Sequence, residues 1–138
     1  MQITMSNHEN VAVMQIIGNL DASCYTDVII QAQRTYDDGA RNLLLDMDKV
    51  PYVSSAGLVA LHTVVRIFMG HSVHSKDGGR PAFRSVNPQE DSAGRDRVKL
   101  LKPQPDVEQV LDVTGLKQFL QIFTDFNAAV RSFDLPAA

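Results

Sequence analysis

The hydrophobic and polar positions of this 138-residue chain follow two rhythms, one of period two and one near 3.6, in alternation. Residues 1–5 alternate weakly and predict an edge strand. Asn7-His8-Glu9-Asn10 is wholly polar and reads as a turn. Val11–Ile17 is strand-like and stops at Gly18, so the first two strands predict a hairpin. Tyr25, Val28, Ile29, Ala32 and Tyr36 then recur at helical spacing, with Asp21 or Ser23 placed to cap the helix and Gly39 to end it. Leu43-Leu44-Leu45-Asp46-Met47 is apolar without alternation, which predicts a central strand covered on both faces. After Pro51, a second helix carries Leu58, Leu61, Val65 and Phe68 on one stripe.

The texture changes at Gly70. Residues 70–97 are rich in Gly, Pro and mixed charge and predict a long inserted loop. Order resumes with the short strand Val98–Leu101. A helix follows from Pro105, with Val107, Val110, Leu111 and Thr114 on its stripe and Gly115 at its end. Phe119–Phe123 predicts a last strand. Asp125 then caps a terminal helix bearing Phe126, Ala129, Val130 and Phe133. The order β-β-α-β-α-β-α-β-α is that of a single α/β domain over residues 1–138, its sheet made mixed by the opening hairpin.

Composition narrows the function. The 44% hydrophobic and 21% charged residues are those of an ordinary globular domain. A net charge of −3 does not supply the clustered Lys and Arg that a phosphate backbone requires. The lone Cys24 allows neither an internal disulfide nor a multi-cysteine metal site. No apolar run approaches a membrane span, and the first residues lack the basic and apolar regions of a signal peptide, so a cytoplasmic protein is expected. No phosphate-binding glycine loop, dinucleotide fingerprint or Gly-x-Ser-x-Gly elbow is present. His71 and His74 lack further ligands for a metal, and Asp46 has no identifiable acid–base partner. The chain therefore reads as a non-enzyme without cofactor or metal. Asp46 is assigned a structural hydrogen bond, and Cys24 the role of a small, partly buried side chain.

The informative stretch joins the central strand to the second helix, from Asp46 to Leu61. Ser54 and Ser55 stand where a helix begins, and its first N–H groups have no internal partner. One serine can cap. The other projects its hydroxyl toward solvent, within reach of a kinase. A phosphate there is locally tolerated by the helix N-terminus, yet adds roughly −1.5 to −2 charge to the surface.

Gly18-Asn19-Leu20-Asp21-Ala22, Leu43-Leu44-Leu45-Asp46 and Val50-Pro51-Tyr52-Val53-Ser54-Ser55-Ala56-Gly57-Leu58-Val59-Ala60-Leu61 together resemble the STAS domain, as does Val113-Thr114-Gly115-Leu116 through Phe123. The resemblance covers nearly the whole chain outside residues 70–97. It implies a STAS-like fold and the role of an anti-sigma factor antagonist. Such a protein binds a serine-kinase anti-sigma factor in a bacterial partner-switching pathway, and a serine phosphatase resets it; the ATP belongs to the kinase. By position Ser55 matches the phosphorylated serine. Ser54 stands where many members have Asp, and Ala56 where many have Ser, which leaves Ser54 as a rival acceptor. The implied partner surface comprises Asp21, Ser54, Ser55, Ala56 and Gly57, and a weak homodimer is admitted.

Plainer roles stand beside these. Both serines can be simple caps, Asp21 a helix cap, and Gly57 a point where the helix packs closely against the sheet. The insertion can be a tolerated surface loop or a partner contact, its Ser72, Ser75, Ser85 and Ser92 further modification sites. The rival functions are a constitutive STAS scaffold or transport-assembly subunit, for example in lipid transport, and a small-ligand or nucleotide-binding domain.

Overall fold

The computed structural model describes residues 1–8, 10–70, 97–118 and 120–133. Among these residues five strands lie in sequence order across one sheet. Strand β1 (Gln2–His8) pairs antiparallel with β2 (Val11–Ile17). The pairs β2–β3 (Leu43–Lys49), β3–β4 (Val98–Leu101) and β4–β5 (Gln121–Phe123) are all parallel. Between them run α1 (Tyr25–Asp37), α2 (Ser55–Phe68) and α3 (Pro105–Thr114), with α4 (Phe126–Ser132) last. Leu116–Gln118 adds one 3₁₀ turn. The mixed α/β sheet is as expected, and the order of its strands and α-helices matches the sequence periodicities among the described residues.

The unalternated apolar run of β3 has a direct explanation. Successive strand residues point to opposite faces, so a strand buried on both must be apolar throughout. Leu43, Leu45 and Met47 join the main core with Met14, Ile16 and Leu100, beneath α1, α2 and α3. Leu44 faces the other way and packs with Val11, Val13 and Leu101 beneath Ala129 and Val130 of α4. That second core is small because α4 is short. Beyond its reach the same face turns polar: Gln15 donates to Asp46 Oδ2 at 3.5 Å, and Asp48 N donates to Asp46 Oδ1 at 3.1 Å. Asp46 thus has the structural role expected of it.

Helix ends follow their chemistry. Asp125 accepts from Ala128 N at 2.9 Å, the expected cap of α4. Pro105 opens α3, where its missing N–H costs nothing. Gly115, at φ +84°, ends α3 in the left-handed region that a side chain disfavours.

Three expectations are corrected. β1 runs through Asn7 and His8, because polar side chains suit an edge strand whose outer flank meets water; the predicted four-residue turn is correspondingly shorter. The last strand is confined to Gln121–Phe123. Neither Asp21 nor Ser23 caps α1: the N-cap position is Cys24, without a side-chain cap bond. The predicted inserted loop, with His71, His74 and its serines, lies outside the described residues.

The second core is small but fully dry at Leu44. Leu44→Ala is expected to destabilise the domain by about 3 kcal/mol, measured by urea unfolding.

Candidate functional site

The sequence-predicted residues gather at one end of the sheet, beyond the last residues of β2 and β3. Two loops meet there. Leu20 forms a parallel bridge with Val53, its N–H donating to Tyr52 O at 2.9 Å and its carbonyl accepting from Ser54 N at 3.0 Å. The β2–α1 loop is thereby stitched to the entry of α2. Gly57 lies directly against this stitch. A β-carbon at Gly57 would stand 2.4 Å from Leu20 O and 2.7 Å from Val53 Cγ1, so no side chain fits. Its role is close packing, against the loop rather than the sheet.

Ser54 is extended (φ −83°, ψ 178°), the conformation of a helix N-cap. Its hydroxyl accepts from Gly57 N at 3.3 Å, and its carbonyl accepts the first helical bond from Leu58 N at 2.9 Å. Ser55 is the first helical residue and is exposed; its hydroxyl takes no part in the cap. The first turn of α2 carries no acidic side chain, leaving the positive end of the helix uncompensated by charge.

Asp21 follows Leu20 on the stitched loop. Its Oδ1 accepts from both the hydroxyl and the backbone N–H of Ser23, the latter at 3.0 Å. Its backbone carbonyl accepts from Cys24 N and Tyr25 N. Asp21 therefore organises a tight turn ahead of α1 instead of capping it. The Ser23 hydroxyl, then its N–H, hold the Asp21 carboxyl below its ordinary value of 3.8. Cys24 is buried, its thiol donating to Asn19 O at 3.2 Å.

A shallow, mostly apolar depression adjoins Ser55, lined by Ala22, Tyr25, Ala56, Leu58, Val59 and Thr114. Three helices contribute to it. Beside Thr114, Val113 is 79% exposed, and Tyr52 is 55% exposed on the loop leading into α2. Tyr25 and Thr114 were legible in sequence only as members of helical stripes. Helical spacing identifies a stripe without saying which of its end residues leave the core. The exposed apolar surface, the free hydroxyl and the helix N-terminus without a compensating acidic side chain together suit a protein-docking face. Among the described residues, no cluster of three or more His, Cys, Asp or Glu side chains is placed to hold a metal, and no helix is long and apolar enough to cross a membrane.

Comparison with known proteins gives a consistent result. A family model described as the STAS domain matches residues 2–73. No curated protein matches the chain. An anti-sigma factor antagonist from Mycobacterium paratuberculosis has a similar structure, with a TM-score of 0.69 at 15% identity over 97% of this chain and 94% of that one. The Bacillus cell fate determinant SpoIIAA in its phosphorylated form aligns with a TM-score of 0.60 at 17% identity, over 94% and 98% of the two chains. The anti-sigma factor antagonist SpoIIAA in its unphosphorylated form gives 0.60 at 14% identity, over 94% of each chain. At these identities the likeness establishes a shared fold.

The two serines should separate in a stability measurement. Ser54→Ala is expected to cost about 1 kcal/mol of unfolding free energy, and Ser55→Ala less than about 0.5 kcal/mol. Asp21 supplies a pH test. A carboxyl whose folded value is lowered contributes stability above its unfolded value, and loses it as pH falls through the folded one. NMR titration should place the Asp21 midpoint below that of an ordinary aspartate, and Ser23→Ala should raise it.

Proposed function

This chain belongs to the STAS domain family, and from that premise we propose that it is an anti-sigma factor antagonist whose binding is controlled by phosphorylation of Ser55. The observation that carries the reading is the division of labour at the start of α2. The Ser54 hydroxyl is engaged by the helix backbone, whereas the exposed Ser55 hydroxyl is uncommitted and stands beside an apolar depression. That SpoIIAA, a structural neighbour, has been solved in phosphorylated and unphosphorylated forms supports the same reading.

In this mechanism the partner is a serine-kinase anti-sigma factor that brings its own ATP. It docks across the α2 entry, meeting Asp21, Ser54, Ser55, Ala56 and the backbone at Gly57, and covers the depression. Unphosphorylated Ser55 permits that contact. Transfer of the γ-phosphoryl group to Ser55 Oγ places roughly −1.5 to −2 charge at the edge of an apolar contact. The N-terminus of α2, which has no acidic side chain in its first turn, tolerates the group, so the domain stays folded. The partner, however, has to desolvate the new charge or leave. A serine phosphatase restores the docking form. The chain acts by binding, in the cytoplasm of a bacterium, without catalytic residues or a cofactor of its own.

Incubation with a purified serine-kinase anti-sigma factor and ATP, followed by site-resolved mass spectrometry, tests this directly. One phosphate on Ser55, absent from Ser55→Ala, is the expected result. In a binding assay Ser55→Ala should keep the parental affinity, while Ser55→Asp should weaken it at least about tenfold. An aspartate variant that binds as tightly as the parent sinks the charge switch. Phosphate on Ser54 instead would move the acceptor by one residue. Failure of an active kinase to modify either serine would favour a constitutive STAS scaffold or transport-assembly subunit.

A further inference from the structure

We propose that the outer edge of β1 is a homodimer interface, on which a second copy of this chain adds its own β1 antiparallel about a two-fold axis through Met5. The strand order places β1 at one edge of the sheet and β5 at the other. An edge strand presents unpaired N–H and C=O groups, and proteins ordinarily blunt such edges with shortness, charge, proline or a bulge. The β5 edge is blunted by its length of three residues. The β1 strand itself carries none of these devices: it is seven residues long, pairs with β2 without interruption, and contains no Lys, Arg, Asp, Glu or Pro. This occurs in a chain of which 21% is charged.

The sequence of β1 fits a copy of itself. In an antiparallel ladder, alternate residues of β1 turn their N–H and C=O groups toward β2, and the others face outward. Rotation about Met5 sets Ile3 of one copy opposite Asn7 of the other, Thr4 opposite Ser6, and Gln2 opposite His8. No pair of like charged side chains arises along the seven positions. The two hydroxyl pairs suit neighbouring strands, and Met5 meets Met5 on the axis. Ile3 and Met5 are half-buried against the main core, so their outer flanks remain in contact with water. A second copy covers those flanks and continues the sheet through the axis, an isologous contact that closes on itself. Ser55 lies on α2 and not on this edge, so the dimer leaves the phosphorylation site open.

Sedimentation velocity on the whole chain over a range of concentrations tests the interface. The apparent mass is expected to rise from 15.2 kDa toward twice that value. Thr4 and Ser6 are both exposed, so at concentrations low enough for the parent to be monomeric Thr4→Lys/Ser6→Lys should leave the thermal unfolding curve unchanged. It sets like charges opposite each other on both sides of the axis and should weaken dimerisation at least about tenfold. Thr4→Lys/Ser6→Glu sets opposite charges there and should restore the dimer. A parent that stays monomeric at high concentration overturns the proposal, as does a dimer indifferent to the double lysine substitution. Phosphorylation of Ser55 by the kinase is read separately by mass spectrometry, so failure of either proposal is distinguishable from failure of the other.

Discussion

The candidate site of this domain depends on one backbone contact: the carbonyl of Leu20. It accepts from Ser54 N at 3.0 Å, and it lies where a β-carbon of residue 57 would otherwise be. Only glycine at position 57 lets the first turn of α2 come this close to the β2–α1 loop. Because of that approach, Ala22 lines one depression with Ser55 and Ala56, although the two loops are far apart in the chain. A sheet whose strands are hydrogen-bonded to their neighbours sets the general placement of its loops. The Leu20–Val53 bridge then fixes these two more closely, and the apolar depression forms where they join α3.

The opposite sheet face carries a smaller core. Among the described residues, Leu44, Val11, Val13 and Leu101 are covered by one short helix, edged by Phe123, Phe126 and Phe133. Lys99 of β4 also lies on that face and is nearly inaccessible at 3% exposure. Its ammonium group donates to Ser132 Oγ at 2.9 Å and stands 4.3 Å from the centre of the Phe133 ring. A buried cation needs such partners, because an apolar surrounding replaces none of the hydration it loses. Two of its partners, Ser132 and Phe133, come from α4 and the residue after it, so the lysine also anchors the helix that covers the face. His8 of β1 meets the Phe126 ring edge-on at 4.9 Å and holds the other end of the same helix.

Much of this was legible in the sequence, for identifiable reasons. The central strand was recognisable because burial on two faces leaves no position for alternation, and the helices because their apolar stripes recur near every fourth residue. The family followed from motifs spread over the chain, above all Ser54-Ser55-Ala56-Gly57-Leu58. What could not be read was local competition. Asp21 has the right side chain for a cap, yet its carboxylate is taken by Ser23, and α1 begins at Cys24 without a side-chain cap. Likewise two adjacent serines offered one cap and one open hydroxyl. Which took which role was decided by the extended backbone at Ser54. The depression was hidden for another reason: Tyr25, Val59 and Thr114 belong to three helices, and only the packing of those helices shows that their ends converge.

The separation of Ser54 from Ser55 has an evolutionary consequence. The residue that caps the helix and the residue whose hydroxyl faces solvent are neighbours, yet they answer to different demands. A change at Ser54 or Gly57 disturbs the fold itself and is exposed to selection for stability whatever the protein's partners. A change at Ser55 alters a solvent-facing hydroxyl and little else. A lineage can therefore gain, lose or replace the chemistry of that position while keeping the scaffold intact. Descendants of one ancestral domain can then drift from a switchable binder to a permanent one, or back, by a single substitution that folding barely registers.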